Sequence, residues 1–167
     1  NFRYASHQIS AGKGKLDGLP ATYADETEAM TLSVTLIDER SMLELELFYS
    51  IFRDYPVIAR NACFRNQGEE KVILHRALSA CVDLSDQDYE WMQFSGAWAR
   101  ERIPVARKIE RGIISIESKR GTSSANQNPF VIVKRRNTDE FSGEAIGMSF
   151  VYSGNFIAAA DADTYGR

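Results

Sequence analysis

The chain has 167 residues, 44% hydrophobic and 26% charged, with a formal net charge of −3. Those values suit one globular domain with a real core. They exclude the concentrated basic surface that nucleic-acid binding needs, and no apolar run approaches the roughly 18 residues of a membrane helix.

In chain order, His7 falls in a first predicted strand, and residues 11–28 read as a long loop. Leu32, Val34 and Leu36 then alternate with Ser33 and Thr35. After a short connection Leu43, Leu45, Leu47, Tyr49 and Ile51 alternate with Glu44, Glu46 and Ser50. Period two of this kind predicts strand, turn, strand with one face buried. A run over 57–66 ends at the turn cluster Asn66-Gln67-Gly68-Glu69. A further run over 72–83 places Leu74, Leu78, Ala80 and Val82 on one face. These four runs predict an antiparallel meander.

The second half is less regular. An aromatic strand is expected over 89–94, and an edge strand over 103–109, where Pro104 removes a ladder donor. Short strands follow over 113–117 and 130–135. Runs over 144–153 and 156–160 flank Ser153-Gly154-Asn155, which reads as a hairpin turn. No window carries a capped helical stripe. The expected fold class is therefore all-β, an antiparallel β-sandwich formed as a single domain over 1–167. The polar stretches 11–28 and 119–129 are long loops, where function tends to sit.

Cys63 and Cys81 make no disulfide framework. A hairpin about Gln67-Gly68 would set Cys63 opposite Leu74 and Cys81 opposite Pro56, too far apart to bridge. Free thiols fit a reducing compartment, which points to the cytoplasm. The chain opens on Asn1-Phe2-Arg3 without an initiator Met, so it reads as a segment of a longer protein. The lack of a signal peptide then carries little weight.

Candidate chemistry is sparse. His7 and His75 are the only histidines, and His75 has no Cys, Asp or Glu at ligand spacing, so no zinc site is expected. Gly12-Lys13-Gly14-Lys15 lacks the glycine spacing and the Ser or Thr of a phosphate loop and reads as a flexible basic loop. Asp83, Asp86, Asp88 and Glu90 lack the glycine and distal Glu of a calcium loop and read as a solvated turn. No cofactor is expected. Adjacent carboxylates on a turn also do not supply the facing pair that glycoside hydrolysis needs.

The stretch 95–102, Ser-Gly-Ala-Trp-Ala-Arg-Glu-Arg, is the most informative. Small neighbours let a ligand or another chain approach Trp98. An indole can stack on a sugar face while Arg100 and Glu101 bond hydroxyls. The other reading packs Trp98 at a domain interface and pairs Arg100 with Glu101.

With Gly112–Gly121, Ser123–Phe130, Gly18–Tyr23 and Phe150–Phe156 in order along the chain, this stretch resembles the N-terminal domain of glycoside hydrolase family 36 α-galactosidases. The resemblance implies a β-supersandwich packed against a following (β/α)8 catalytic barrel. It implies retaining hydrolysis of terminal α-galactosides such as melibiose and raffinose, in a homo-tetramer. The family's two catalytic aspartates lie in barrel segments that do not occur here, so this chain alone is expected to be inactive. Asn1 stands where the family usually has Asp, and Ser124-Ala125-Asn126-Gln127-Asn128 departs from a His-Gln-His pattern frequent in that loop.

By the resemblance, Trp98 lines the galactose pocket, with Arg100 and Glu101 in support. The loop carrying Arg120, Gly121, Ser123, Ser124, Asn128 and Phe130 is placed at the barrel or subunit interface. The alternative is an independent sugar-binding β-sandwich with Trp98 as its platform.

Overall fold

The computed structural model describes residues 1–86 and 88–165. Among them there are ten strands and no helix: β1 Arg3–Ala11, β2 Ala29–Asp38, β3 Leu43–Phe52, β4 Ile58–Asn66, β5 Tyr89–Ala97, β6 Arg100–Lys108, β7 Ile114–Ser118, β8 Gln127–Arg135, β9 Ala145–Ser149 and β10 Phe156–Ala160. Every pairing is antiparallel, so the chain is all-β as its alternation predicts. Two compact units form, Asn1–Val82 and Asp83–Arg167.

The first unit is a four-stranded meander in the order β1-β2-β3-β4. Its register explains the alternation. Ile9, Leu32, Tyr49 and Arg60 share one rung, and Tyr4, Leu36, Leu45 and Phe64 another. Side chains one residue along point to the opposite face, where Arg65 Nη1 donates to Glu44 Oε1 at 2.8 Å and Glu46 Oε2 at 2.7 Å. In these rungs Leu32, Leu36, Leu45, Tyr49 and Phe64 are half-buried, whereas Tyr4 and Ile9 of β1 are exposed. Arg60 lies among them over the Tyr49 ring, 4.4 Å from its centroid, and donates to the Tyr49 hydroxyl at 2.8 Å.

Three expectations for this unit are corrected. The run 72–83 forms no strand, and Leu74, Leu78 and Val82 are exposed. The Asn66–Gly68 turn forms, with the Gly68 amide on Asn66 Oδ1 at 3.1 Å. However, Gln67 N donates to Met42 O at 2.9 Å and Asn66 Nδ2 to Glu70 O at 2.8 Å. The turn is tied to the β2–β3 connection, so the chain leaves β4 instead of reversing along it. The fourth strand of the sheet is β1, at the opposite edge beside β2. His75 and Cys81 consequently sit outside any strand, and Cys63 faces Glu46 rather than Leu74, both thiols remaining free. Finally, Gly12-Lys13-Gly14-Lys15 is not a loose basic loop. Lys13 is buried, its main chain pairs with Ala24, and its Nζ donates to Thr22 O at 2.5 Å. Burial pushes its pKa down.

The second unit is a two-layer sandwich. A sheet ordered β6-β5-β8-β9 and a two-stranded sheet β10-β7 contribute to one core cluster. Tyr89 and Trp91 of β5 and Val131 and Val133 of β8 meet Ile116 of β7 and Phe156 of β10 there. Trp91 is 1% exposed, and its Nε1–H is satisfied by Gln93 Oε1 at 3.1 Å, as a buried indole requires. β6 is an edge strand carrying Pro104, as predicted. Ser153-Gly154-Asn155 is not a hairpin turn. β9 joins β8 and β10 joins β7, so this segment carries the chain from one layer to the other.

Candidate functional site

Trp98 and Ala99 form the two-residue turn between β5 and β6, closed by the pair Ala97 and Arg100. The turn demands unusual backbone. Ala99 has φ 63° and Arg102 φ 57°, the left-handed region that costs an L-residue about 1–2 kcal/mol. The register slips between Ser95 and Ala97, a bulge in β6 where Glu101 and Arg102 oppose the single residue Gly96. A Cβ at Gly96 would meet Arg100 O at 2.4 Å and Glu101 Cα at 2.9 Å, so only glycine fits. The result is a preformed mount on which Trp98 is 91% exposed. Its indole has no aromatic or cationic partner among the described residues. Arg100 and Glu101 are exposed beside it and make no ion pair with each other among the described residues. Strain of this kind collects where a side chain must be held for use.

The loop over 119–126 lies at the same end of the sandwich. Gln127, the first residue of β8, is opposite Ser95 of β5, just before the Trp98 turn. Its Oε1 accepts the Glu117 amide at 2.7 Å, tying the loop's exit to its entry. Ser118 Oγ donates to Thr122 O at 2.7 Å. Gly121, at φ 81°, donates its amide to Asn155 Oδ1 at 2.6 Å, and Ser123 N donates to Ser153 O at 2.8 Å. The layer-crossing segment thus fixes the loop.

The residues proposed for this loop divide into two groups. Arg120 and Ser124 line an open cleft of about 350 Å³, with Glu117, Ser118, Asn126 and Gln127. Phe130 instead packs beside Phe94, ring centroids 5.7 Å apart, and Asn128 is half-buried with its Nδ2 unpaired. Gln127, Asn126 and Glu117 were not singled out as site residues by the sequence, although they lie within the stretches Gly112–Gly121 and Ser123–Phe130 that carry the family resemblance.

The acidic turn has a structural role. Arg135 lies over the Tyr89 ring at 3.8 Å and donates to Asp86 Oδ1 at 2.6 Å, Asp86 Oδ2 at 3.0 Å and Glu144 Oε2 at 3.2 Å. The Arg135 bonds hold the Asp86 pKa down at about 2. Glu90 pairs with Lys134 at 3.1 Å. No group of His, Cys, Asp and Glu able to hold a metal ion occurs among the described residues.

The profile of the glycosyl hydrolase family 36 N-terminal domain matches residues 1–167. The chain belongs to this family. As a family 36 N-terminal domain, it is 46% identical to α-galactosidase AgaA of Geobacillus stearothermophilus over 99% of its own length and 23% of that protein. It is 44% identical to α-galactosidase 1 of Pediococcus pentosaceus, over 96% of this chain and 22% of that one. The AgaA crystal structure superposes with a TM-score of 0.96 over the same shares as its sequence, 99% and 23%. Doubly substituted variants of AgaA have also been solved in complex with raffinose and with stachyose. This chain therefore spans under a quarter of these relatives' length, at 22–23%.

Proposed function

We propose that this domain is the non-catalytic N-terminal part of a retaining α-galactosidase that hydrolyses terminal α-galactosides of the melibiose and raffinose type. A (β/α)8 barrel supplies both catalytic aspartates. Trp98, supported by Arg100 and Glu101, forms part of the sugar pocket wall. The loop with Arg120, Gly121, Ser123, Ser124, Asn128 and Phe130 makes barrel or subunit contacts in a homo-tetramer. The cytoplasm is the compartment that suits two free thiols, Cys63 and Cys81.

The observation that carries this reading is Trp98 itself. An apolar ring left 91% exposed on a strained, preformed turn is a surface made for contact. Its family provides the class of contact, since the relatives are α-galactosidases and one is solved with raffinose.

In the full-length enzyme, Trp98→Ala should lower kcat/KM for raffinose by at least tenfold, with Trp98→Phe retaining more of it. The isolated chain should show no hydrolysis. Equal kcat/KM in wild type and Trp98→Ala would remove Trp98 from the pocket.

Exposure of the ring within this chain also favours the independent sugar-binding module. Titration of the chain with galactose and raffinose separates the two. Millimolar binding abolished by Trp98→Ala supports the module, and no binding supports a partial pocket completed by the barrel.

A further inference from the structure

The end of the second unit away from the Trp98 turn carries two features that the proposed function leaves unused. The β8–β9 hairpin holds Phe141 at its tip, 94% exposed. The tip is held rigidly. Asp139 Oδ1 accepts the amides of Phe141 and Ser142, each at 2.8 Å, and Asp139 N donates to Ser142 O at 3.0 Å. Gly143 closes the turn at φ 114°, where a Cβ would meet Thr138 Cα at 2.6 Å. Asp139 and Glu140 make the tip acidic, and neither has an ion-pair partner among the described residues.

The second feature is a cleft of about 410 Å³ at the β6–β7 connection, lined by Arg107, Lys108, Glu110, Arg111, Gly112 and Ile114. Ile114 and the stems of the long side chains give it apolar wall. Three cations line it against one carboxylate, which Lys108 reaches only at 4.0 Å. Arg107 donates to the neutral Gln93 Oε1 at 2.8 Å, so its charge is not cancelled there. Gly112 N donates to Asp161 Oδ1 at 2.9 Å, which holds the connection in place. A cavity of roughly 150 Å³ already takes a benzene ring, so this cleft has room for a phenyl side chain.

Both features lie at one end of one sheet. Lys108, Glu90, Lys134 and Ala145 form a single rung across β6-β5-β8-β9. Three strand spacings, about 14 Å, separate Lys108 of the cleft from Ala145 at the hairpin base. The cleft marks one edge of the sheet and the hairpin the other, and the exposure of Phe141 shows that it does not fill its own cleft. A twofold axis normal to the sheet sets this end against the same end of a second copy and exchanges the edges. Each hairpin then faces the other copy's cleft, the reciprocal pairing that a closed dimer contact requires. Acidic tip meets basic cleft, and an exposed aromatic ring meets a pocket.

We propose that Phe141, flanked by Asp139 and Glu140, docks into the Arg107, Lys108 and Arg111 cleft of a second copy of this chain to form a twofold interface. The proposal rests on the homo-tetramer part of the reading above and is independent of Trp98.

The test uses the full-length enzyme and analytical ultracentrifugation over a dilution series. Phe141, Glu140 and Arg111 are exposed, so their substitution leaves the core intact. Phe141→Ser, Glu140→Arg and Arg111→Glu should each raise the dissociation constant of the assembly at least tenfold. Combining Glu140→Arg with Arg111→Glu should restore most of the loss, since the charges are exchanged rather than removed. An unchanged dissociation constant in Phe141→Ser and Arg111→Glu overturns the interface and leaves the homo-tetramer standing. A lower melting temperature or kcat with unchanged assembly places the hairpin against the enzyme's own remaining domains, which overturns it too. A wild-type enzyme that sediments as a monomer at every concentration removes the homo-tetramer reading and this interface together.

Discussion

Asn155 accepts the amide of Gly121 on its Oδ1 at 2.6 Å, a bond that links residues 34 apart and fixes the loop beside the Trp98 turn. Asn155→Ala removes it. Hydrogen bonds of this kind contribute about 1 kcal/mol net. The expected result is faster hydrogen exchange at Gly121 and its neighbours, with little change at Trp91. Unchanged exchange at Gly121 would show that the loop is held by other bonds.

Gly96→Ala should dismantle the mount of Trp98. The added Cβ has no space between Arg100 O at 2.4 Å and Glu101 Cα at 2.9 Å, and both are backbone atoms. Overpacking of this kind costs about 1–3 kcal/mol. Chemical denaturation should read that loss. By contrast Ala99→Gly, at φ 63°, relieves a left-handed alanine and should be neutral or stabilising.

The two tryptophans should behave oppositely. Trp91 is 1% exposed in the core and Trp98 is 91% exposed. Trp91→Ala should cost about 3–5 kcal/mol, whereas Trp98→Ala should stay within about 0.5 kcal/mol. Fluorescence separates them as well. Acrylamide should quench the wild type through Trp98, and the Trp98→Ala protein should resist quenching.

Acid should weaken the second unit through Asp86. Its pKa of about 2 lies below its ordinary value of 3.8, and that of Glu144 is lowered too, by the Tyr89 hydroxyl and then Arg135. A depressed carboxylate contributes stability that is present above its unfolded pKa and lost as pH falls through its folded one. The loss should therefore run from about pH 4 down to 2. Melting temperature followed across that range should fall less steeply in Asp86→Asn than in the wild type. Parallel curves would exclude Asp86 as a source of the acid dependence.

Much of this was legible from local pattern. The alternation in Leu32–Leu36 and Leu43–Ile51 becomes β2 and β3, paired over ten rungs. Pro104 marks an edge strand. The small residues that singled out Trp98 flank what the structure shows to be the β5–β6 turn. Period two registers which side chains share a face, and turn residues register where a strand stops, because both are short-range properties of the backbone.

Pairing partners were a different matter. Residues 72–83 alternate well enough for a strand, yet Gln67 is bonded to Met42 and turns the chain away from β4. The runs around Ser153-Gly154-Asn155 look like a hairpin, yet β9 and β10 enter different sheets. Asp86 and Arg135 meet across 49 residues, and Gln127 joins Glu117 across ten. The amino-acid order by itself determined an all-β chain and singled out the stretch around Trp98. Only tertiary structure decided which strands pair and which polar side chains face one cleft, since both depend on contacts between residues far apart in the chain.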